Sequence, residues 1–489
     1  MHSSARCIAL SVSLGLAAAT SLSALAQTPS TARPVLPAAV LAPVPTPAVP
    51  PIGSPGPNPL TPQPQSPVQT LTLLELYQSA RAFDAAYLAA RAQADSEPYR
   101  AEQIEALLRP SASMTGSAAR VEVNPLIGPS YGSNSLAIGL NGRQPLFNKT
   151  SSATVAQARK ALEASRSVLE LAEQDLIVRV TQAYFDVLAA QDTLATTRAS
   201  KAAISEQLAS AKRNFEVGTA TITDTREAQA RFDLGTFQEL AAQNDLLNKR
   251  IALDLLVGRA NVAPAQLATP VALPPPPSNV QEWVSRAESQ HPVVQRARVA
   301  LDIARLETEK ARAGHLPTLD AVAGINAGRG TTGTVTGSNT SASLGVQINV
   351  PLFSGYSVQN RIAETLVLED KARSDLDAAL RSVTQATRTA FNALQSGVAQ
   401  VRALEAAESS SQLALEATQL GYRVGVRVNL DVLNAQTQLF TTRRDLARAR
   451  YDVLVNTLRL RQAAGELRPE DVAAVNVLLD PTAPPTGLR

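Results

Sequence analysis

The sequence of 489 residues contains a single cysteine, Cys7. Cys7 belongs to an N-terminal stretch that is positively charged over Met1–Arg6 and apolar over Cys7–Thr20. The small residues Ala24-Leu25-Ala26 follow, and this order is typical of a secretory signal peptide with a cleavage site before Gln27. We expect residues 1–26 to be removed. The processed chain would then lack cysteine, which excludes disulfides, thiol catalysis and thiolate metal sites.

Aromatic residues and long apolar runs are also scarce. Aromatics make up 4% of the sequence, a composition that suits long helices packed side by side. Beyond the predicted signal no run of about 18 apolar residues occurs, so we expect no transmembrane helix and any membrane crossing must use strands. The net charge of +3 is small and no basic run stands out, so we expect no nucleic-acid binding.

Residues 27–69 are rich in proline, alanine and small polar residues, as in APVPTPAVPPIGSPGPNP. Such a segment has too little apolar surface to order itself, so it is predicted to be a disordered, semi-rigid linker. Two interpretations stay open. The segment serves as a spacer or a cell-wall contact, or it is a tolerated disordered leader.

The rest of the chain contains an internal two-fold repeat. Five pairs of landmarks have numbers that differ by 207: Pro110 and Pro317, Tyr184 and Phe391, Gly218 and Gly425, Asp224 and Asp431, Gly258 and Gly465. The triplet at 145–147 recurs at 351–353 with one residue less separation. We predict a first structural repeat over 70–269, a second over 270–470 and a C-terminal tail over 471–489.

Each half has the same predicted order of elements. A helical region comes first, over 72–108 and over 280–313. Two alternating stretches follow, and they are predicted as strands over 111–123 and 135–144 in the first half and 318–327 and 341–350 in the second. Next come segments of nearly 70 residues, 148–216 and 356–424, with no proline and little glycine. Each could form one helix roughly 100 Å long. A Val-Gly pair ends each long helix, and a shorter helix then runs back to Gly258 or Gly465.

The strands and helices together predict an oligomer. Strands of about ten residues can cross a bilayer at a tilt, and in lipid a sheet must close on itself to satisfy its edges. Four strands are too few, since the smallest single-chain barrels have about eight. Three chains would give twelve strands. The helices are too long for compact crossovers, so we expect them to project ~100 Å on the periplasmic side.

Three segments resemble those of a known family. FEVGTATITDTREAQARFD from Phe215 and GYRVGVRVNLDVLNAQTQLF from Gly421 are similar to the two hairpin-tip segments of the TolC family, and ARARYDVLVNTLRLRQAAGEL also matches it. The resemblance covers Thr72 to Asp471. It implies a mainly α fold with a membrane β-barrel: long antiparallel helices form a periplasmic coiled-coil barrel, and four strands per protomer complete a twelve-stranded trimeric barrel.

The resemblance also implies a function and partners. The protein would be a homotrimeric exit duct in outer-membrane lipid, extending into the periplasm, and not an enzyme. A periplasmic adaptor (membrane fusion) protein and an inner-membrane pump of the RND, ABC or MFS type would recruit it for efflux or type I secretion. The alternative is a periplasmic coiled-coil adaptor or scaffold without a pore. Two hairpins and two strand pairs disfavour that alternative, because an adaptor would carry a single hairpin and a lipoyl-like domain.

A periplasmic gate is implied at the helical tips. In the family a tyrosine and an arginine of the second repeat are tied to a Thr-Asp pair of the first, and these positions correspond to Tyr422, Arg427, Thr223 and Asp224. The residues alone allow another interpretation. Thr223 and Asp224 follow a turn, where capping and dipole effects favour such residues at any helix start.

A selectivity ring is implied one turn further on. The family places an aspartate at both of two positions, whereas this sequence has Asp431 and Asn434. A trimer would keep three carboxylates, which predicts weaker cation selectivity. Without the resemblance, Asp431 is simply a first-turn helix acid and Asn434 a solvated side chain. Gly218 and Gly425 are predicted turn glycines, and the resemblance implies that these small tip residues also let adaptor hairpins dock.

No residue constellation predicts catalysis, a cofactor or a metal site. The sequence at 328–333 fits G-x-G-x-x-G, but no helix follows it, so we interpret it as an extracellular loop. His291 and His315 belong to no cluster of ligands, and a metal or general-base role is not expected.

Overall fold

The computed structural model describes residues 70–268, 275, 277–332 and 335–480. The predicted signal peptide at 1–26 and the linker at 27–69 are outside the described residues. All described residues belong to one compact unit, Ser66–Arg489. None of the helices in the described part of the chain is both long and apolar enough to span a membrane.

The described chain contains nine α-helices, two short 3₁₀-helices (Ala106–Leu108 and Ala313–His315) and eight strands. The helices are α1 (Leu73–Phe83), α2 (Ala85–Glu105), α3 (Lys149–Glu216), α4 (Ile222–Val257), α5 (Val280–Gln290), α6 (Pro292–Arg312), α7 (Ser357–Arg423), α8 (Asn429–Ala463) and α9 (Pro469–Asn476). The strands are β1 (Thr70–Leu71), β2 (Ser111–Val123), β3 (Tyr131–Phe147), β4 (Ala263–Pro264), β5 (Gln266–Leu267), β6 (Thr318–Thr332), β7 (Val335–Asn349) and β8 (Leu479–Asp480).

The two-fold repeat is confirmed by the order of elements, and the structure adds a detail. Each predicted helical region, 72–108 and 280–313, is divided into two helices by a single extended residue, Asp84 or His291. Both residues cap the next helix. The Asp84 carboxylate accepts from the Tyr87 N–H at 2.8 Å, and His291 Nδ1 accepts from the Val293 N–H at 3.1 Å.

His291 therefore has a structural role that its isolation in the sequence hid. Its number differs by 207 from that of Asp84, so the two caps are repeat equivalents. Burial lowers the pKa of His291, and a hydrogen bond to the Gln462 carbonyl opposes that effect. A neutral imidazole can cap the helix because one ring nitrogen accepts while the other donates.

The main sheet has four antiparallel strands in the order β2-β3-β6-β7. Three of them extend beyond the predicted limits. β6 continues to Thr332, so residues 328–332 are strand and not the predicted loop. Gly328, Gly330 and Thr331 keep their register with Asn339, Gly337 and Thr336 of β7. Cross-strand pairing, which local turn-like composition does not reveal, determines where this strand ends.

The two longest helices, α3 with 68 residues and α7 with 67, are confirmed nearly to the residue. At 1.5 Å per residue each is ~100 Å long. Asn148 caps α3 by accepting from the Ser151 N–H at 3.0 Å. Helices α2 and α6 pack along the first half of α3, and α4 and α8 along the second half.

The largest core lies midway along α3. Tyr184 and Phe185 are fully buried there, among residues of α1, α4, α8 and α9. The Tyr184 hydroxyl donates to the Ala265 carbonyl at 2.7 Å, and Phe185 stacks on Tyr451 with ring centroids 5.6 Å apart. The predicted boundary at residue 470 falls inside α9, and Val472 of the predicted tail belongs to this core.

A partly buried ionic cluster joins the two repeats near the sheet. The Glu307 carboxylate of α6 accepts from Gln157 of α3 at 2.8 Å and from Arg361 of α7 at 2.7 Å. Lys310 lies 3.2 Å away. Burial raises the pKa of Glu307, but the hydrogen bonds from Gln157, Arg361 and Lys310 outweigh burial and lower it to about 2.

We predict that Glu307→Gln lowers stability by about 2 kcal/mol at neutral pH, because a charge-assisted contact becomes a neutral one. Since the folded-state pKa lies below the ordinary 4.5, the contribution of Glu307 is complete above pH 4.5 and is lost as the pH falls toward 2. The thermal unfolding midpoint in detergent, followed from pH 7 to 3, should therefore fall less steeply for the variant. Glu364→Gln, which removes an exposed partner of Arg361, is the control. Identical pH profiles for wild type and Glu307→Gln would contradict the assignment.

Candidate functional site

The four-stranded sheet has two chemically different faces. Residues directly opposite each other on antiparallel strands point to the same side. One transverse row contains Ser113, Asn141, Gly324 and Ser343, and most residues of the rows parallel to it on this side are also small or polar. We call this side the polar face. Asn326 crowds Gly139 on it so closely that a Cβ on Gly139 would lie 2.3 Å from the amide oxygen.

The opposite side of the sheet, the apolar face, is exposed. Its large apolar side chains are Met114, Leu136, Ile138, Leu140, Ile325, Leu344, Val346 and Ile348, all at least half exposed. Charged side chains on this face occur only toward the end far from the helices, at Arg120, Glu122 and Arg329, among the described strand residues. At the helix end the apolar face meets the exposed rings of Phe147, Phe353 and Tyr356. An exposed apolar surface of this extent marks an interaction with lipid or protein.

The second candidate region is formed by the two helical tips. α3 ends with Gly218 at φ +79°, and α7 ends with Gly425 at φ +80°. In both turns the glycine N–H and the next N–H bond back to the last turn of the helix, as in a Schellman motif. The Thr219 N–H donates to the Asn214 carbonyl at 2.8 Å, and the Val426 N–H donates to the Gly421 carbonyl at 2.9 Å. The predicted turn role of both glycines agrees with this geometry.

Asp224 caps its own helix. Its Oδ2 accepts from the Thr221 N–H at 3.0 Å and from the Thr221 hydroxyl at 2.7 Å, while the Asp224 N–H donates back to that hydroxyl at 3.2 Å. This reciprocal pair is a capping box. Thr223 beside it is exposed. The capping interpretation of Asp224 therefore holds in the single chain.

The second tip differs because its cap is Val428, which has no side-chain oxygen. Asp431 is the repeat equivalent of Asp224, and it faces Arg427, whose Nη1 lies 3.5 Å from Asp431 Oδ2. The Tyr422 hydroxyl accepts from Asn214 Nδ2 at 3.2 Å. Within the described chain, the structure brings neither Tyr422 nor Arg427 to Thr223 or Asp224.

Asn429 is a tip residue that sequence reasoning missed. It is 2% exposed, and its side chain joins both hairpins. Gln207 Nε2 of α3 donates to Asn429 Oδ1, and Asn429 Nδ2 donates to the Asp224 carbonyl at 3.5 Å. One signal was available. The repeat equivalent of Asn429 is Ile222, so a polar residue replaces an apolar one at an otherwise matched position.

Asn434 is exposed, and its amide oxygen accepts from Arg231 Nη2 at 3.1 Å. The neutral position of the predicted ring therefore has a cation of the other hairpin beside it. Arg231 was not predicted, because only the fold brings residues 203 positions apart together.

Apolar side chains also remain exposed along α4. Phe237, Leu240, Leu247, Ile251 and Leu255 are all about half exposed or more. Their spacing of three, four and seven residues places them on one side of the helix. A stripe of this kind on a long helix is typical of a surface that packs against another helix.

A family model described as "Outer membrane efflux protein" matches residues 76–259 and 283–466. The limits of the two matches differ by 207, as the repeat requires.

Individual proteins are similar over most of their length. The outer membrane protein TolC of Vibrio cholerae is 34% identical over 418 residues, which cover 84% of this chain and 94% of that protein. The alkaline protease secretion protein AprF of Pseudomonas aeruginosa is 35% identical over 348 residues, covering 69% and 71%. The crystal structure of the outer membrane protein VceC of Vibrio cholerae is similar in fold, with a TM-score of 0.70 at 19% identity over 80% of this chain and 96% of that one.

We predict that Asn429→Ala loosens the tip. Removing this amide leaves the half-buried Gln207 amide without its acceptor, a change that costs about 1 kcal/mol. Amide hydrogen exchange at the start of α8 should become faster by the factor that corresponds to this loss of local free energy. Asn434→Ala is the matched control, because it removes an exposed amide from the same helix and should change local stability by less than about 0.5 kcal/mol. Equal exchange rates in the two variants would show that Asn429 does not hold the tip.

Proposed function

The chain belongs to the outer membrane efflux protein family, and from this premise we propose how it works as an exit duct. The predicted family, outer-membrane location and duct function are confirmed by the relatives, and the alternative of a pore-free periplasmic adaptor is not favoured. Family members are channels, and the protein provides a passage. Its energy would come from an inner-membrane partner.

The two-faced sheet carries the proposal. The apolar face of β2, β3, β6 and β7 would contact lipid, and the polar face would line a water-filled lumen. Four strands cannot close, so three copies would complete a twelve-stranded barrel. The exposed stripe on α4 supports the same assembly, because a surface of this kind needs a partner helix.

The helical tips would form the periplasmic entrance. Thr223 and Arg427 are both exposed in the single chain, so they are available to a neighbouring copy. We place the gate between copies: Arg427 of one copy would leave Asp431 and reach Thr223 and Asp224 of the next, with Tyr422 close to the same contact. The turns at Gly218 and Gly425 would receive a periplasmic adaptor that links the duct to a pump of the RND, ABC or MFS type.

Both efflux and type I secretion remain open as pathways. The family model is named for efflux, whereas AprF is named for protease secretion. Fractionation and planar-bilayer recording of the purified protein test the shared function. A heat-labile trimer in the outer membrane that forms pores is expected. A water-soluble monomer without conductance would overturn the proposal and favour the adaptor alternative.

We predict that Leu344→Arg blocks membrane assembly. Leu344 is 87% exposed on the apolar face, and a charged side chain facing lipid near mid-membrane costs about 2–4 kcal/mol per copy. The yield of heat-labile trimer in the outer membrane should fall strongly. Ser343→Arg is the matched control, since its side chain points to the polar face and the trimer should persist. If only Ser343→Arg abolished the trimer, the polar face and not the apolar face would be the one in contact with lipid.

We predict opposite changes of ion selectivity at the tip. Asp431→Ala removes the ring carboxylate and should lower the preference for cations, whereas Asn434→Asp adds a second carboxylate and should raise it. Reversal potentials across a salt gradient measure both. Arg427 lies beside Asp431 and Arg231 lies beside Asn434, so each substitution changes the net charge next to an arginine. Unchanged reversal potentials in both variants would remove Asp431 and Asn434 from the conduction path.

A further inference from the structure

The polar face of the sheet is almost free of charge. Its described strand residues are mainly serine, threonine, asparagine, glycine and alanine. Among them only Arg143 of β3 and Asp320 of β6 are ionic. This face therefore contains one charge of each sign per chain.

The two charges form a close pair. Arg143 Nη2 lies 2.7 Å from Asp320 Oδ2. The Asp320 side chain is 9% exposed, whereas that of Arg143 is 58% exposed. The other oxygen of Asp320, Oδ1, is buried and has no hydrogen-bond partner among the described residues. Arg143 is thus the group that balances this carboxylate.

The pair lies near the helix end of the sheet. Arg143 occupies a transverse row with Ser111, Val322 and Gly345, and Asp320 lies two residues from Val322 on the same face. Three chains would place three such pairs around one level of the lumen. A ring of unpaired arginines would favour anions there, and a ring of unpaired aspartates would favour cations.

We propose that the Arg143–Asp320 pair keeps the strand-lined section of the duct electrically neutral, so that this section admits hydrated solutes of either charge. The inference rests on the proposed function and adds a determinant of cargo specificity to it. Selection by charge is then left to the helical part of the duct. The wall of serine, asparagine and glycine offers hydrogen bonds to any polar solute, including an extended polypeptide.

A thiol probe in the same row measures the local potential directly. Gly345 faces the lumen in this proposal, and a Cβ built on it meets no atom within 4 Å, so Gly345→Cys fits. In the processed chain, which would carry no other thiol, the probe is modified with 2-trimethylammonioethyl and 2-sulfonatoethyl methanethiosulfonate, which have opposite charges. The ratio of their rates, corrected for their reactivity with a free thiol, reports the potential at residue 345.

The two single variants should move this ratio in opposite directions. Arg143→Gln leaves Asp320 unpaired and should raise the cation-to-anion ratio about threefold at low ionic strength, and Asp320→Asn should lower it by a similar factor. The double variant should return the ratio close to its starting value. At about 0.1 M salt the screening length is about 10 Å, so the shifts should shrink as salt is raised further.

Neighbouring positions provide the controls. Val346→Cys points to the apolar face and should resist both water-soluble reagents in reconstituted vesicles. Arg329→Gln removes a positive charge from that other face of β6 and should leave the ratio at Gly345→Cys unmoved. If the variants form pores but neither Arg143→Gln nor Asp320→Asn shifts the ratio of the two modification rates, the neutral-pair inference alone is wrong. Wild-type protein that forms no pores would overturn the proposed function instead.

Discussion

The backbone hydrogen bonds of the two outer strands are the constraint on which the rest of the structure depends. Within the described chain, β2 and β7 each pair on one side only, so each leaves a row of N–H and C=O groups without a partner. The apolar face of these strands is exposed and would contact lipid in the proposed duct. In lipid each unpaired group would cost several kcal/mol, and this cost is the reason for proposing that strands from other copies complete the sheet. Because the four strands alternate in direction, every helix connection lies at the same end of the sheet, and the hairpins extend away from it together.

Duplication supplied two similar hairpins whose tips then diverged in their chemistry. In the first tip, the N-terminus of α4 is capped by a capping box between Thr221 and Asp224. Val428 in the second tip cannot form that box, so Asp431 keeps its carboxylate available to Arg427. The loss of one hydroxyl converts a local cap into an ion pair between exposed side chains. Exposed pairs are weak, and their charges stay available to other partners.

The long elements were predictable because their signals are local. Helices α3 and α7 follow from proline-free segments, and alternation predicts the starts of β2 and β6, whereas β3 and β7 begin earlier than predicted. The breaks at Asp84 and His291 were missed, since one capping residue interrupts an otherwise helical pattern. The contacts of Asn429 and Arg231 could not be predicted, because they join residues more than 200 positions apart. The family resemblance identified the candidate residues at the tips. It did not predict their hydrogen-bond partners in the single chain, because those depend on how the folded helices pack.

The distribution of apolar burial along the hairpins determines where they can move. Midway along α3, the core around Tyr184, Phe185 and Tyr451 joins six helices. Near the tips the apolar clusters are small. One consists of Ile204, Leu208, Ala211, Ala228 and Leu433, and another of Leu415, Val432 and Leu439. Since the free energy of separating helices grows with the apolar area exposed, displacing the tips costs far less than separating the helices at the middle. Polar ties such as that of Asn429 supply much of what holds the tips, and hydrogen bonds exchanged with water contribute only about 1 kcal/mol each. A displacement of the tips would therefore bend the helices between the central core and the tips while the central core stays packed.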